Sequence, residues 1–339
     1  MRFTERRFSP NRALFLLTAI LGPLALAYIV WSPGTRIQDG RHDLNDNAIW
    51  LQHGWLGDDA WFERYDKDTS RFRDELKVKA LAQTMKNHGI MTVFPHLCPC
   101  APSGRIAEVD HTQTERFLDH FEDFKVIPWI GGVYGQQAVP ERPQWRNAFV
   151  QSAVALLERH PRLAGVQINI EPMPSGNDSF LYLLEELKAA MPDGKILSVA
   201  AYPPPTRWHP FPDVHWEEAY YREVAKRSDQ MAPMMYDTSL KKQKLYHQLM
   251  ASWTEDVLEW AEGTPTLLGL PAYEDAGVGY HDPKVENLQN ALRGIHAGLL
   301  RYDTLPTHYQ GTAIYCEWEM TDEKWRVYKS EFESLDAAR

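Results

Sequence analysis

The chain has 339 residues, of which 44% are hydrophobic, 12% aromatic and 24% charged, so it is not a disordered, collagen-like or coiled-coil protein. Its 36 Lys and Arg against 46 Asp and Glu give a net charge of −10, so we expect no nucleic-acid partner. The 3 cysteines are too few for a disulfide scaffold, and we expect small buried or free thiols.

An apolar stretch near the N-terminus predicts a membrane anchor or a signal peptide. Four arginines precede the uncharged run from Ala13 to Trp31. As a helix, this run would span about 28 Å, close to the thickness of a bilayer's hydrocarbon core. The arginines predict that the chain after the run faces the extracytoplasmic side. We therefore predict a signal anchor or signal peptide over 1–34, a linker over 35–44 and a domain over 45–339, either anchored through this helix alone or secreted.

After residue 45, short apolar segments alternate with amphipathic segments of helical period. The apolar segments are continuous, which is typical of parallel strands covered on both faces. Eight strand–helix pairs predict one α/β domain, a (β/α)8 TIM barrel. An open doubly wound sheet is the alternative, but no G-x-G-x-x-G follows the first strand. The predicted strands are 48–53, 90–95, 125–131, 164–170, 195–201, 230–235, 266–271 and 311–316, and the predicted helices are 73–88, 112–122, 144–160, 178–191, 215–227, 243–261, 284–300 and 322–335.

Functional groups in such a barrel lie at the C-terminal ends of the strands. Aromatic rings beside carboxylates and amides at those ends favour a sugar-binding site, because sugar faces stack on rings and hydroxyls bond to polar groups. The histidines are scattered, so no metal and no cofactor is expected. The predicted substrate-binding residues are Trp55, Trp129, Tyr134, Gln167, Met234, Tyr273, Glu274, Glu317 and Trp318.

The predicted fourth strand carries polar residues on one face. Gln167, Asn169 and Glu171 alternate with apolar residues, so their side chains point the same way. Polar side chains inside a barrel cost free energy unless they are paired or functional. A satisfied structural network is therefore the alternative to a site.

Four segments of the sequence resemble the barrel of glycoside hydrolase family 18, the family of chitinases and endo-β-N-acetylglucosaminidases. They are KVIPWIGG over 125–132, AGVQINIE over 164–171, MMYD over 234–237 and YCEW over 315–318. Each is similar to a family motif at the corresponding strand, and together they extend the resemblance over roughly residues 45–330. The resemblance implies a TIM-barrel glycosidase that acts on an oligosaccharide or polysaccharide.

The fourth-strand motif departs from the family pattern. Where the family has three aspartates before its glutamate, this chain has Ala164, Gln167 and Asn169, and only Glu171 remains. The resulting N-x-E is similar to the motif of family 85 endo-β-N-acetylglucosaminidases. An asparagine can still accept a hydrogen bond from a substrate acetamido N–H, although it brings no negative charge.

The resemblance also implies roles for individual residues. Glu171 would be the general acid and base, Asn169 would hold the acetamido group, Tyr236 would bond to its carbonyl oxygen and Asp237 would be a supporting carboxylate. The mechanism would be substrate-assisted and retaining. Two alternatives stay open at this point: a two-carboxylate retaining glycosidase that uses Glu171 and Glu274, and a non-catalytic chitinase-like carbohydrate-binding protein.

Overall fold

The computed structural model describes residues 10–333, with side chains from residue 19 onward. Helix α1, Pro10–Val30, contains most of the apolar run, while the first nine residues of the predicted signal segment lie outside the described residues. No helix within the described residues combines the length and the apolar character needed to cross a membrane.

Parallel strands form the centre of the described domain. The nine strands make one sheet in the order β3-β2-β1-β9-β8-β7-β6-β5-β4. The two edge strands are halves of the predicted third strand, which is interrupted at Pro128, a residue with no N–H to donate. His96 pairs with Trp129, and the Gln167 N–H donates to the Pro128 carbonyl at 2.8 Å, so hydrogen bonds span the interruption and the sheet closes into a barrel. The strands are β1 Asn47–Leu51, β2 Ile90–Pro95, β3 Lys125–Val126, β4 Trp129–Val133, β5 Gly165–Glu171, β6 Ile196–Ala201, β7 Gln230–Pro233, β8 Thr266–Pro271 and β9 Tyr309–Tyr315.

Helices cover the outside of the barrel, and every helix predicted from periodicity has a counterpart. Two short helices between β1 and β2, α2 and α3, were not predicted. Several helices begin at a side-chain cap, such as Asp110, which accepts from the Gln113 N–H at 2.7 Å. The helices after α1 are α2 Asp59–Arg64, α3 Ser70–Arg73, α4 Glu75–Asn87, α5 His111–His120, α6 Pro143–Arg159, α7 Asp178–Ala190, α8 Glu218–Arg227, α9 Gln243–Trp260, α10 Leu288–Leu299 and α11 Asp322–Glu331.

A chain of polar side chains runs through the barrel interior. Trp50 Nε1 donates to Gln167 Oε1 at 2.7 Å, and Gln167 Nε2 donates to Ser198 Oγ at 3.1 Å. Ser198 donates to Gln230 at 2.9 Å, and Gln230 donates to Gln310 at 2.8 Å. Each buried amide thereby finds a partner, which offsets the free energy of its desolvation.

The predicted linker over 35–44 is packed against the barrel. The Thr35 N–H donates to the Arg293 carbonyl at 2.9 Å, and buried His42 meets His296 through their Nδ1 atoms at 2.8 Å. Just before this segment, Lys244 in the first turn of α9 donates to the carbonyls of Tyr28, Ile29 and Trp31 at 2.8, 2.9 and 2.6 Å. The end of α1 is thus joined to the barrel by a charged side chain.

Candidate active site

Asn169 and Glu171 lie together at the carboxyl end of β5. Asn169 Nδ2 donates to Glu171 Oε1 at 2.7 Å, and the Tyr202 hydroxyl donates to Glu171 Oε2 at 3.4 Å. Asn169 Oδ1 is buried and has no hydrogen-bond partner. Burial among the surrounding side chains raises the pKa of Glu171, although the bonds from Asn169 and Tyr202 oppose this. A carboxyl group that keeps its proton to higher pH suits a general acid.

The neighbouring strand must approach Asn169 very closely. Gly131 on β4 pairs with Asn169 in the sheet. A Cβ atom at Gly131 would lie 1.8 Å from the Asn169 carbonyl oxygen, and its φ of 147° is one that other residues rarely adopt. Glycine at this position is therefore what allows β4 and β5 to meet at the site.

Three cavities meet around Glu171 and form a groove. A cavity of about 730 Å³, here called the first arm, shares Trp129, Asn169, Glu171 and Trp318 with a cavity of about 380 Å³, the second arm. A third cavity of about 320 Å³ continues from the second arm along Glu171 and Tyr236. The acid candidate therefore lies in the middle of a groove that can hold several sugar units.

Tyrosine rings form much of the second arm. The Tyr236 ring stacks on Tyr315 at 5.4 Å, and Tyr273 meets Tyr236 edge-on at 5.9 Å. The Tyr273 hydroxyl donates to Asp237, and burial raises the pKa of Asp237 to about 6. Burial also raises the pKa of Tyr236 well above its usual range, so its hydroxyl remains a proton-bearing donor.

A stack of four rings lines the first arm. Trp61 stacks on His53 at 4.0 Å, His53 meets His96 at 3.7 Å, and His96 stacks on Trp129 at 3.8 Å. Buried Asp58 bonds to His53 Nδ1 and fixes the orientation of that imidazole. Because these rings lie against one another, they present a continuous aromatic wall to the groove, against which the apolar parts of a sugar can pack.

The structure brings most of the predicted site residues together. The four predicted catalytic residues all line the groove. Four of the predicted substrate-binding residues also line it, namely Trp129, Met234, Tyr273 and Trp318.

Trp55 and Gln167 are placed away from the groove lining, contrary to prediction. Trp55 is only 1% exposed and packs edge-on against Phe72 at 5.0 Å, so it belongs to the hydrophobic core. Gln167 is fully buried and its amide is already bonded to Trp50 and Ser198. The structural network considered as the alternative therefore accounts for Gln167.

Three further predicted residues lie outside the groove lining. Glu317 is buried and accepts from Arg71 at 3.3 Å, and burial raises its pKa. The Tyr134 hydroxyl donates to Glu141. Glu274 is 65% exposed and pairs with Lys324 at 2.8 Å, which lowers its pKa. This position gives no support to Glu274 as a nucleophile opposite Glu171.

The predicted site set omitted several residues of the groove, including His53, His96 and Tyr315 at predicted strand ends and Trp61 beyond them. Trp61 lies on α2, whose six residues are too few to show a helical period. One usable signal was that His53 and Asp58 both lie just after β1, close enough in sequence to bond. A histidine bonded to a buried carboxylate is held in a fixed orientation, as functional histidines often are.

Only one group among the described residues has the geometry to hold a metal ion, and it lies on the outside of the barrel. Potential ligand atoms of His111, Glu115 and His160 lie within 4.8 Å of one another. The Glu115 oxygens are bonded to His160 and Arg162, each at 2.7 Å, so ion pairs account for this cluster. The three cysteines are free and buried, and burial raises their pKa values, which disfavours reactive thiolates.

Comparison with known proteins places the fold. No protein-family model matches the sequence, and no curated protein is detectably similar to it. Among solved structures, a chitinase from Chromobacterium violaceum is 16% identical, with a TM-score of 0.53 over 84% of this chain and 98% of that one. The GH18 chitinase ChiB of Flavobacterium johnsoniae is 14% identical, with a TM-score of 0.51 over 85% and 94%.

A third similar structure is that of a spore cortex-lytic enzyme. The Bacillus cereus spore cortex-lytic enzyme SleL is 12% identical, with a TM-score of 0.53 over 85% of this chain and 74% of that one. At identities this low, the TM-scores establish a common fold alone. The described chain therefore has a barrel of the family 18 type, as its four motifs predict.

Proposed function

We propose that this protein is a glycoside hydrolase that cleaves glycans containing N-acetylhexosamine by a substrate-assisted, retaining mechanism. The observation that carries the proposal is the free, buried Oδ1 of Asn169 beside the Glu171 carboxyl group. A buried acceptor without a partner costs free energy, and an acetamido N–H would satisfy it. The fold likeness to chitinases supports the same class of substrate.

The geometry supports a different role for each of four side chains. Glu171, with its raised pKa, would protonate the leaving oxygen while the acetamido carbonyl oxygen attacks the anomeric carbon. Asn169 Oδ1 would accept from the acetamido N–H and Tyr236 would donate to its carbonyl oxygen. Asp237 lies near enough to Glu171 for their charges to interact, and would favour the positive charge of the cyclic intermediate. Glu171 would then deprotonate the water that opens this intermediate.

Hydrolysis of matched oligosaccharides tests the proposal. The substrates are labelled N-acetylglucosamine oligomers and glucose oligomers of equal length. We expect the wild type to cleave the first and not the second, because glucose lacks the nucleophile. Glu171→Gln should lower turnover by a factor of about 10² to 10⁴ by removing the acid while keeping the side-chain volume.

Controls separate this mechanism from its alternatives. Glu262→Gln, at an exposed position after α9, should turn over like the wild type. Melting temperatures of both variants should match that of the wild type. Binding without cleavage would indicate a carbohydrate-binding protein, and equal cleavage of both oligomers would contradict substrate assistance.

We further propose that the domain works outside the cytoplasm. Support comes from the arginines that precede the apolar run in the sequence. Protease added to intact cells should degrade the domain. A reporter that is active only outside the cytoplasm should be active when it is fused after residue 40. A protected domain would contradict this location.

A further inference from the structure

The two arms of the groove differ in charge. Lys67 and Arg71 line the first arm, and Arg64 and Arg105 line a cavity of about 300 Å³ that shares His53 and Trp61 with it. The second arm and the third cavity have no Lys or Arg in their linings. Their charged residues are carboxylates, namely Glu171, Asp237, Asp275 and Glu319.

Two carboxylates on this side are already bonded to other groups, Asp68 in the first arm and Asp58 in the adjoining cavity of about 300 Å³. Asp58 is buried and accepts from the Gly54 N–H at 2.6 Å as well as bonding to His53. Asp68 accepts from the Ser70 backbone N–H at 3.0 Å and from the Ser70 hydroxyl. Within the described residues, neither carboxylate forms an ion pair with a lysine or arginine of this side, so neither occupies the ammonium or guanidinium groups there.

Three of the cations on this side have no ion pair within the described part of the chain. Arg64, Lys67 and Arg105 lie free of carboxylate partners, whereas Arg71 pairs with Glu317 at 3.3 Å. Lys67 Nζ lies over the Trp61 ring, 4.8 Å from its centre, on the wall of the first arm. A positive charge on the wall of a cavity that can hold a sugar is suited to a sugar with an anionic substituent.

We propose that the substrate is an acidic glycan, in which N-acetylhexosamine alternates with a sugar that carries a carboxylate, and that the carboxylate-bearing sugar lies in the first arm. This inference rests on the proposed function. The whole chain has a charge of −10, which would repel an acidic polymer, so local cations are required to receive it. The carboxylate could belong to a uronic acid or to a lactyl ether on a hexosamine.

Three substrates distinguish these sources. They are a neutral N-acetylglucosamine oligomer, an oligomer of equal length that alternates N-acetylglucosamine with glucuronic acid, and a peptide-free peptidoglycan strand whose muramic acid carries lactyl carboxylates. We expect one of the two acidic substrates to have a higher kcat/KM than the neutral oligomer, and the advantage to shrink at high salt because salt screens exposed charges.

Variants locate the effect in the first arm. The double variant Arg64→Gln with Lys67→Gln should lower kcat/KM on the preferred acidic substrate by about 3- to 30-fold, and by a smaller factor on the neutral oligomer. Lys67→Glu should lower it further. Lys79→Gln, at an exposed position on α4, is the matched control and should behave like the wild type on all three substrates.

The outcomes separate the two proposals. Cleavage of the neutral oligomer with no preference for either acidic substrate would overturn the acidic-glycan proposal and leave the proposed function standing. Equal losses on neutral and acidic substrates in the double variant would overturn it as well. If none of the three is cleaved and Glu171→Gln changes nothing, the proposed function itself fails.

Discussion

Gln167 and Asn169 are two residues apart on the same face of β5, yet the structure treats the two amides differently. Gln167, deeper in the barrel, is bonded to Trp50 and Ser198. Asn169, one step nearer the groove, donates to Glu171 and leaves Oδ1 without a partner. A satisfied buried amide stabilises the fold, whereas a buried amide with a free oxygen beside a cavity is prepared for a ligand. Substitution of Asn169 should therefore lower activity, whereas substitution of Gln167 should lower stability.

The largest effect on activity within the pair is expected from Asn169→Ala. Losing the buried acceptor should cost about 1–3 kcal/mol at the transition state, or roughly 5- to 150-fold in kcat/KM on an N-acetylglucosamine oligomer. Steady-state kinetics measure it, with exposed Asn147→Ala on α6 as the control. Wild-type rates in Asn169→Ala would remove the distinction between the two amides.

The opposite result is expected for Gln167→Leu. The substitution leaves the Trp50 Nε1–H without an acceptor and removes the hydrogen bond that Ser198 Oγ accepts, so the free energy of unfolding should fall by about 1–3 kcal/mol. Denaturant unfolding measures this loss. KM should stay near the wild-type value, and a selective rise in KM with unchanged stability would show that Gln167 contacts the substrate after all.

The pH profile sharpens the comparison further. Glu171 must be protonated to act as an acid, so activity should fall as pH rises through its raised pKa. The bond from Asn169 lowers that pKa, so Asn169→Ala should move the basic limb of kcat/KM to higher pH. Gln167→Leu should leave the limb in place. A shift of the limb to lower pH in Asn169→Ala would contradict the assigned hydrogen bond.

The smallest effect is expected from Glu274→Gln. This carboxylate is exposed and paired with Lys324, so its loss should change kcat/KM by less than about twofold. The same oligomer assay measures it. A drop of the size expected for Glu171→Gln would restore the two-carboxylate mechanism.

Much of the barrel could be predicted from the sequence because continuous apolar strands and periodic helices repeat along it. Alternation placed Gln167 and Asn169 on the correct face, but alternation carries no information about depth, which decides whether an amide meets a neighbour or a cavity. The strand predicted over 125–131 is interrupted at Pro128, and its two halves appear as β3 and β4. Local composition alone did not show that both halves stay within the barrel.

The first arm was the part least accessible to sequence reasoning. Trp55 and Trp61 both follow β1, and only tertiary packing decides that Trp55 enters the core while Trp61 stacks on His53. Polar composition over 35–44, the predicted linker, also did not reveal that His42 is buried against His296. In both cases long-range contacts override the local pattern.

The lysine that joins α1 to the barrel also determines where α1 lies relative to the groove. Lys244 lies in the first turn of α9, and helices of such a barrel begin at the end where the strands' carboxyl termini open into the groove. Three hydrogen bonds from one ammonium group to backbone carbonyls restrict the movement of the end of α1 relative to α9. The end of α1 is therefore held beside the open end of the barrel, so a partner or support attached to α1 would set the direction in which the groove faces.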